Sequence, residues 1–154
     1  MRTASFLLIL ILFFGPGLRA QDQDTLKLSC PLHENLEPPA EQKSTSIGAA
    51  DLKAIFIGRT DTIVRACING MVTVILHDED GKWELMFTHE DHTFWYSGVI
   101  SLLVTKGQKL RNGEPIGYIR RGEKVILQMM DAETSVDPKE FLMNCGPASP
   151  SQHP

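Results

Sequence analysis

The sequence predicts an all-β fold, a small antiparallel β-sandwich or barrel-sandwich hybrid that ends in one short helix. Short β-branched or alternating runs recur about every ten residues, and turn residues separate them. Helix signals are concentrated in one late segment. With 42% hydrophobic and 22% charged residues among 154, the chain has the composition of one globular domain, which excludes a disordered or polytopic membrane chain.

The first twenty residues predict a signal peptide. Arg2 gives a basic start, residues 6–14 form an unbroken apolar run, and helix-breaking residues 15–17 lead to a small residue, Ala20. The apolar run is too short to cross a bilayer as a helix, so we expect export, cleavage after Ala20 and no membrane span in the mature chain. An uncleaved N-terminal anchor is the alternative.

Prolines divide the rest of the chain into a folded part and two flanks. Residues 21–46 are polar and contain Pro31, Pro38 and Pro39, which remove backbone donors and disfavour helix in the preceding residue. This segment predicts a loosely ordered arm. Residues 146–154 are rich in proline and serine and predict a disordered tail. The folded domain is therefore expected over residues 47–145.

The charge of the chain argues against nucleic acids and anionic membrane surfaces as partners. The formal net charge is −4, and removal of residues 1–20 takes away two more arginines. The longest basic run is the pair Arg120-Arg121. Because an acidic surface repels phosphate groups, binding to nucleic acid has no electrostatic support.

Three cysteines remain in a chain that we expect to reach an oxidising compartment. Cys67 lies in an apolar run and predicts a buried thiol. Cys30 and Cys145 flank the predicted domain and could join its two ends by a disulfide. Spacing does not determine connectivity, so this pairing stays a hypothesis at this point.

The strand-forming segments follow one another at short intervals. Val72, Val74 and Leu76 alternate onto one face of the second segment, and residues 78–81 have turn chemistry before the third, so these segments predict a β-meander. The predicted strands are residues 61–67, 71–77, 83–87, 94–96, 100–104, 115–119 and 125–130. Asp137 as N-cap and Pro138 at the first helical position predict a helix of about two turns through residue 143.

Residues 104–117 carry the pattern V-x-x-G-x-x-L-x-x-G-x-x-I-G, in which glycines permit two tight turns. This stretch resembles the core of the lysostaphin/LytM-type zinc endopeptidases, which cut peptidoglycan cross-bridges. Residues 62–73, 83–89, 94–96 and 136–142 resemble further segments of that family, in the same order. Biotinyl and lipoyl carrier domains share the pattern loosely, but they need a modifiable lysine at a hairpin tip, and here Asp131 follows Met129-Met130.

The resemblance also implies a zinc site, and this sequence lacks its ligands. The family's H-x-x-x-D pair falls within residues 51–57, its Y-x-H histidine falls on Gly98, and its H-x-H falls near residues 125–127. None of these positions holds a histidine. A tetrahedral zinc site cannot be built from aliphatic side chains and glycine, so we expect a degenerate domain with no catalytic residues, no metal and no cofactor.

The remaining histidines offer a second possibility for a metal site. His77, His89 and His92 lie at the ends of one predicted hairpin and the following turn, among several carboxylates. We expect them to be solvated turn residues, because short clusters of histidine and acidic residues are common in loops. Whether they bind any metal is left to the structure.

The resemblance implies a role at a bacterial cell wall, in the periplasm or outside the cell. We expect an exported, inactive LytM-like domain that binds peptidoglycan or a wall-hydrolase partner, as an amidase activator or a scaffold. The candidate ligand-binding residues are Trp95 and Tyr96, which offer flat area for stacking, and Gln128, which offers hydrogen bonds. The alternatives are an active peptidoglycan metallopeptidase with a rearranged site and a structural subunit of a cell-envelope complex.

Overall fold

The structure is a computed structural model that describes residues 26–33, 52–143 and 145. In these ranges the chain forms β-strands and one 3-10 turn, which confirms the predicted all-β class. No helix in these ranges is long and apolar enough to span a membrane. The signal peptide and the tail that the sequence predicts lie outside these ranges.

The strands are β1 (Lys53–Ile57), β2 (Ile63–Arg65), β3 (Gly70–His77), β4 (Trp83–His89), β5 (His92–Val99), β6 (Ser101–Leu102), β7 (Lys109–Leu110), β8 (Pro115–Tyr118), β9 (Lys124–Asp131) and β10 (Thr134–Val136).

The strands form two antiparallel sheets that share one hydrophobic core. The large sheet has the order β1-β9-β5-β4-β3-β7, and β10 also pairs with β9. The small sheet has the order β2-β8-β6. Buried side chains from both sheets belong to one cluster, including Phe56, Val64, Phe87, Ile116 and Leu127.

Alternation along the central strands gives the large sheet one core face and one outer face. On β9, Val125 and Leu127 are buried, whereas Gln128 is exposed. On β5, Phe94 is fully buried and Trp95 is half-buried on the other side. Successive side chains of a strand point to opposite faces, so the half-buried and exposed positions of β1, β5 and β9 share the outer face.

A β-bulge in β3 changes which of its side chains reach the core. Val72 pairs with Phe87, and the register then shifts so that Val74 pairs with Met86. An extra residue reverses the faces of all residues beyond it. The predicted alternation is therefore wrong past Val72: Ile75 packs against the core, and Leu76 is 47% exposed.

Residues 26–33, which we call the strap, pack against the domain. The predicted loosely ordered arm is wrong for this part, because Leu28 and Leu32 are fully buried members of the core. The Leu28 amide donates to the Phe141 carbonyl at 2.9 Å, and the Pro31 carbonyl accepts from the Arg65 amide at 2.9 Å. The domain therefore includes the strap, and residues 34–46 of the predicted arm lie outside the described residues.

The predicted C-terminal helix is a single 3-10 turn, Pro138–Glu140. Asp137 caps it as predicted, with its carboxylate accepting from the Lys139 amide at 3.0 Å. The helix does not continue through residue 143. Its next backbone groups bond to the strap instead, because Phe141 accepts from Leu28 and the Met143 amide donates to the Leu28 carbonyl at 2.9 Å.

A disulfide joins Cys30 in the strap to Cys145, with their Cα atoms 5.4 Å apart. Cys67 is a free, buried thiol. Burial raises the pKa of the Cys67 thiol to about 12, so it has almost no thiolate at neutral pH.

Candidate functional site

The three segments to which the resemblance assigns zinc ligands are adjacent strands. Residues 52–57 contain β1, residues 125–127 lie in β9 and Gly98 lies in β5, and these strands are neighbours in the order β1-β9-β5. Ile126 of β9 pairs with Ile55 on one side and with Ser97 on the other. These three residues form a row across the outer face, which we call the isoleucine row.

The isoleucine row offers no ligand set for zinc. Two of its side chains are hydrocarbons, and a neutral serine hydroxyl is not among the usual zinc ligands. Within the described part of the chain, no group of three or more histidine, cysteine, aspartate or glutamate side chains could hold a metal ion.

A second row runs beside the first and carries the polar and aromatic side chains. Gln128 of β9 pairs with Lys53 of β1 and with Trp95 of β5. The structure thus brings together two of the predicted ligand-binding residues, Trp95 and Gln128. They line a cavity of about 190 Å³, which we call the Trp95 cavity; its other lining residues are Leu52, Thr93, Met129, Met130 and Ser135.

The Trp95 cavity is uncharged and is lined by both apolar and polar side chains. None of its lining residues is acidic or basic. The Trp95 indole Nε1–H is buried and lacks a hydrogen-bond partner among the described groups. A buried donor without an acceptor is costly, and native structures contain few of them. The cavity therefore combines the side chain of an aromatic residue with an amide that can both donate and accept.

Tyr96 lies on the core face, and its predicted role as a ligand-binding residue is wrong. Its side chain is fully buried, and its ring stacks on Phe87 with centroids 5.6 Å apart. Its hydroxyl accepts from the Cys67 amide at 2.9 Å and donates to the Arg65 carbonyl at 3.2 Å. Burial raises the pKa of Tyr96 well above its ordinary value. Alternation along β5 separates it from Trp95.

The three histidines do not form one cluster. His77 pairs with Trp83 at one end of β4, where their rings meet edge to face with centroids 4.5 Å apart. His89 and His92 pair with each other at the opposite end of that strand. His92 Nε2 lies 3.8 Å from one carboxylate oxygen of Asp131.

The sequence missed several residues of the Trp95 cavity. Leu52, which precedes β1, and Ser135, on β10, reach it only because β1 and β10 both pair with β9. Neither strand has a clear signal of its own in the sequence. Thr93 could have been found, because it lies two residues before Trp95 and therefore shares its face.

Comparison with known proteins finds matches among solved structures only. No family model matches the sequence, and neither does any curated protein. Solved structures do match. Lysostaphin superimposes with a TM-score of 0.62 at 16% identity, covering 84% of this chain and 61% of lysostaphin. This chain has the lysostaphin/LytM-type peptidase fold.

Two further structures have this LytM-type fold. Csd3 of Helicobacter pylori matches with a TM-score of 0.62 at 12% identity, over 77% of this chain and 34% of Csd3. A putative M23 peptidase from Pseudomonas aeruginosa matches with a TM-score of 0.60 at 19% identity, over 80% of this chain and 52% of that protein. The LytM-like domain thus spans about a third to three fifths of the length of these three proteins.

Proposed function

We propose that this chain is an exported, catalytically inactive LytM-like domain that binds peptidoglycan, or a wall-hydrolase partner, through the Trp95 cavity. One observation carries the proposal. The strands to which the resemblance assigns the zinc ligands carry two isoleucines and a serine in one row of their outer face, and beside this row lies a cavity lined by Trp95 and Gln128. Such a surface is suited to binding and poorly suited to hydrolysis.

The fold supports a role related to the cell wall. The structures that share it include lysostaphin and a zinc-containing peptidase from Vibrio cholerae, the latter with a TM-score of 0.52 at 19% identity. These similarities concern the fold, and the wall component bound by this chain is part of our proposal. Residues 1–20 have the pattern of a signal peptide, which supports export.

The isoleucine row supports the proposed inactivity. Zinc peptidases bind the metal through three protein side chains and leave a fourth position for the water that attacks the substrate. Ile55 and Ile126 cannot ligate a cation, and Ser97 alone could not retain one. Hydrolysis of a peptide bond by this route is therefore not expected at this face.

The Trp95 cavity suits an uncharged group such as a sugar ring or a peptide amide. The indole can stack on an apolar face of the ligand. The exposed Gln128 amide can donate and accept at the same time. Since no charged side chain lines the cavity, we expect binding to depend weakly on salt.

A sedimentation assay on purified insoluble peptidoglycan tests the proposal. The chain from residue 21 onward is incubated with the polymer, the bound fraction is measured, the protein is analysed for metal, and the supernatant is analysed for muropeptides. We expect binding without stoichiometric metal and without soluble products. Trp95→Ala should abolish most of this binding.

Tyr118→Ala is the matched control, because Tyr118 is a 41% exposed aromatic residue on the small sheet. It should bind as the unaltered chain does. Soluble products that disappear with a chelator would show an active metallopeptidase with a rearranged site. Absence of binding, together with a protein that co-purifies in fixed proportion, would instead support a structural subunit of an envelope complex.

A further inference from the structure

Backbone hydrogen bonds attach the strap to the domain along its length, and its two leucines, Leu28 and Leu32, are buried in the core. Near its start, the Leu28 backbone bonds to Phe141 and Met143. At its other end, the His33 amide donates to Asp61 Oδ2 at 2.9 Å, and the same oxygen is 2.6 Å from Arg65 Nη1. Hydrogen bonds thus hold both ends of the strap, and the Asp61–Arg65 ion pair that accepts from its His33 amide lies within the domain.

The middle of the strap lies over Cys67. The Ser29 amide donates to the Cys67 carbonyl at 2.8 Å, and the Ser29 hydroxyl donates to the same oxygen at 3.2 Å. Cys67 has no exposed surface, and it belongs to the same core cluster as Leu28 and Leu32. The strap therefore bonds to the backbone of Cys67, and its two leucines complete the core cluster to which this free thiol belongs.

The disulfide lies between these attachments. Cys30 follows Ser29 directly, and its bond to Cys145 links positions separated by 115 residues. Both cysteines are half-buried, so a small reductant can reach the bond. A cross-link over so long a separation keeps the strap close to its binding surface even when its weaker contacts break.

The strap is not part of the strand pairing that holds the two sheets together. Its one β-type contact is the isolated bridge between Leu28 and Leu142, and no paired strand of either sheet includes a strap residue. Segments that lie outside the paired strands can open while the rest stays folded. The strap meets this description among the described residues.

We propose that the Cys30–Cys145 disulfide is a redox latch, whose reduction lets the strap open and exposes Cys67 while both sheets stay folded. A dithiol reductant supplies the electrons. One of its thiolates attacks a sulfur of the disulfide and forms a mixed disulfide, and its second thiol then releases the protein. Cys30 and Cys145 leave as thiols with two protons, and the reductant becomes a cyclic disulfide. Opening also exposes the apolar core residues against which Leu28 and Leu32 pack.

Thiol alkylation under native conditions, followed by intact mass, tests the latch. The oxidised chain should resist N-ethylmaleimide, because its one free thiol is buried. In the double variant Cys30→Ser/Cys145→Ser only Cys67 can react. We expect its alkylation rate to rise by about 100-fold or more, because the disulfide no longer restrains the strap. The wild-type chain pretreated with dithiothreitol should take up three adducts, and Cys67 should react at the same raised rate.

Two outcomes would overturn the proposal. If Cys67 in the double variant reacts as slowly as in the oxidised chain, the strap does not open when the disulfide is absent. If the rate rises but near-ultraviolet circular dichroism of the reduced chain is lost, the disulfide holds the whole domain and is not a latch. Asp61→Asn in the same double variant supplies a second check, because loosening the other end of the strap should accelerate alkylation further.

Discussion

Trp95 on β5 lies directly opposite Gln128 on β9, and both side chains line one small cavity on the outer face of the large sheet. The two strands are antiparallel neighbours inside the large sheet. Their backbone pairing therefore determines the relative position of the two side chains. Sites built on strands are held more precisely than sites built on loops.

Replacement of Gln128 by leucine should weaken binding to peptidoglycan without affecting the fold. Leucine has a similar volume but cannot donate or accept, and one lost hydrogen bond of about 1 kcal/mol corresponds to roughly 5-fold weaker binding. The bound fraction at several protein concentrations measures the effect. Because Gln128 is exposed, the thermal midpoint should stay close to that of the unaltered chain. Unchanged affinity would exclude the amide from the ligand site.

Tyr96→Phe should lower the stability of the fold and leave ligand binding intact. The substitution removes the hydroxyl that accepts from the Cys67 amide and donates to the Arg65 carbonyl. Two buried backbone groups lose this partner, at a cost of about 1–3 kcal/mol of unfolding free energy. Urea unfolding measures that loss, and the sedimentation assay serves as the control. A drop in binding with no change in stability would contradict the assignment of Tyr96 to the core.

Asp61 should make the attachment of the strap sensitive to acid. Burial raises the pKa of its carboxyl, but hydrogen bonds from the His33 and Ile63 amides and the Arg65 guanidinium outweigh burial and hold the pKa below its ordinary value of 3.8. Such a group stabilises the folded state at pH values above its unfolded pKa, and the contribution is lost as the pH falls through the lower folded pKa. Stability should therefore decline below about pH 4.

The matched variant for this prediction is Asp61→Asn, which cannot ionise. It should be less stable than the unaltered chain at neutral pH, and the difference should shrink as the pH falls. Unfolding free energies measured between neutral pH and about pH 2 test this. Parallel profiles for the two proteins would show that Asp61 does not carry the acid sensitivity.

Gly98→Ala should destabilise the domain by about 2 kcal/mol or more. Gly98 has φ 92°, and a Cβ atom there would overlap the Lys124 carbonyl oxygen on the neighbouring strand. Gly81→Ala is the control, because Gly81 also has a positive φ of 78° but has open space around the added atom. The Gly98 variant should lose clearly more stability in urea unfolding; equal losses would attribute the whole cost to the backbone conformation.

The sequence predicted best where a strand carries its own signal. The runs containing β3, β4, β5, β8 and β9 were identified, although the predicted strand over residues 61–67 is shorter in the structure, Ile63–Arg65. Strands β7 and β10 are two and three residues long and exist because of their partners. A pattern of a few residues cannot distinguish such strands from loops. The bulge in β3 could not be predicted from the sequence either, because a bulge is defined by the register with the partner strand.

The candidate site was predicted only in part, because strand pairing, which has no signal in the sequence, also assembles the site. Trp95 and Gln128 are the right residue types for binding, but only the pairing of β5 with β9 brings them together. Tyr96 was misassigned although alternation places it opposite Trp95, because alternation alone does not say which face is the core. The strap was missed because its prolines suggested disorder, whereas its order comes from distant partners such as Phe141 and Cys145.

The strap also imposes an order of events on folding. It is synthesised before all ten described strands, yet it docks against residues 141–143, which emerge after them. The core cannot close until nearly the whole chain is available, and contacts of such long separation in sequence form slowly. The chain should therefore pass through a folding intermediate in which the sheets are paired while Leu28 and Leu32 are still exposed to solvent. The Cys30–Cys145 disulfide should be among the last bonds to form.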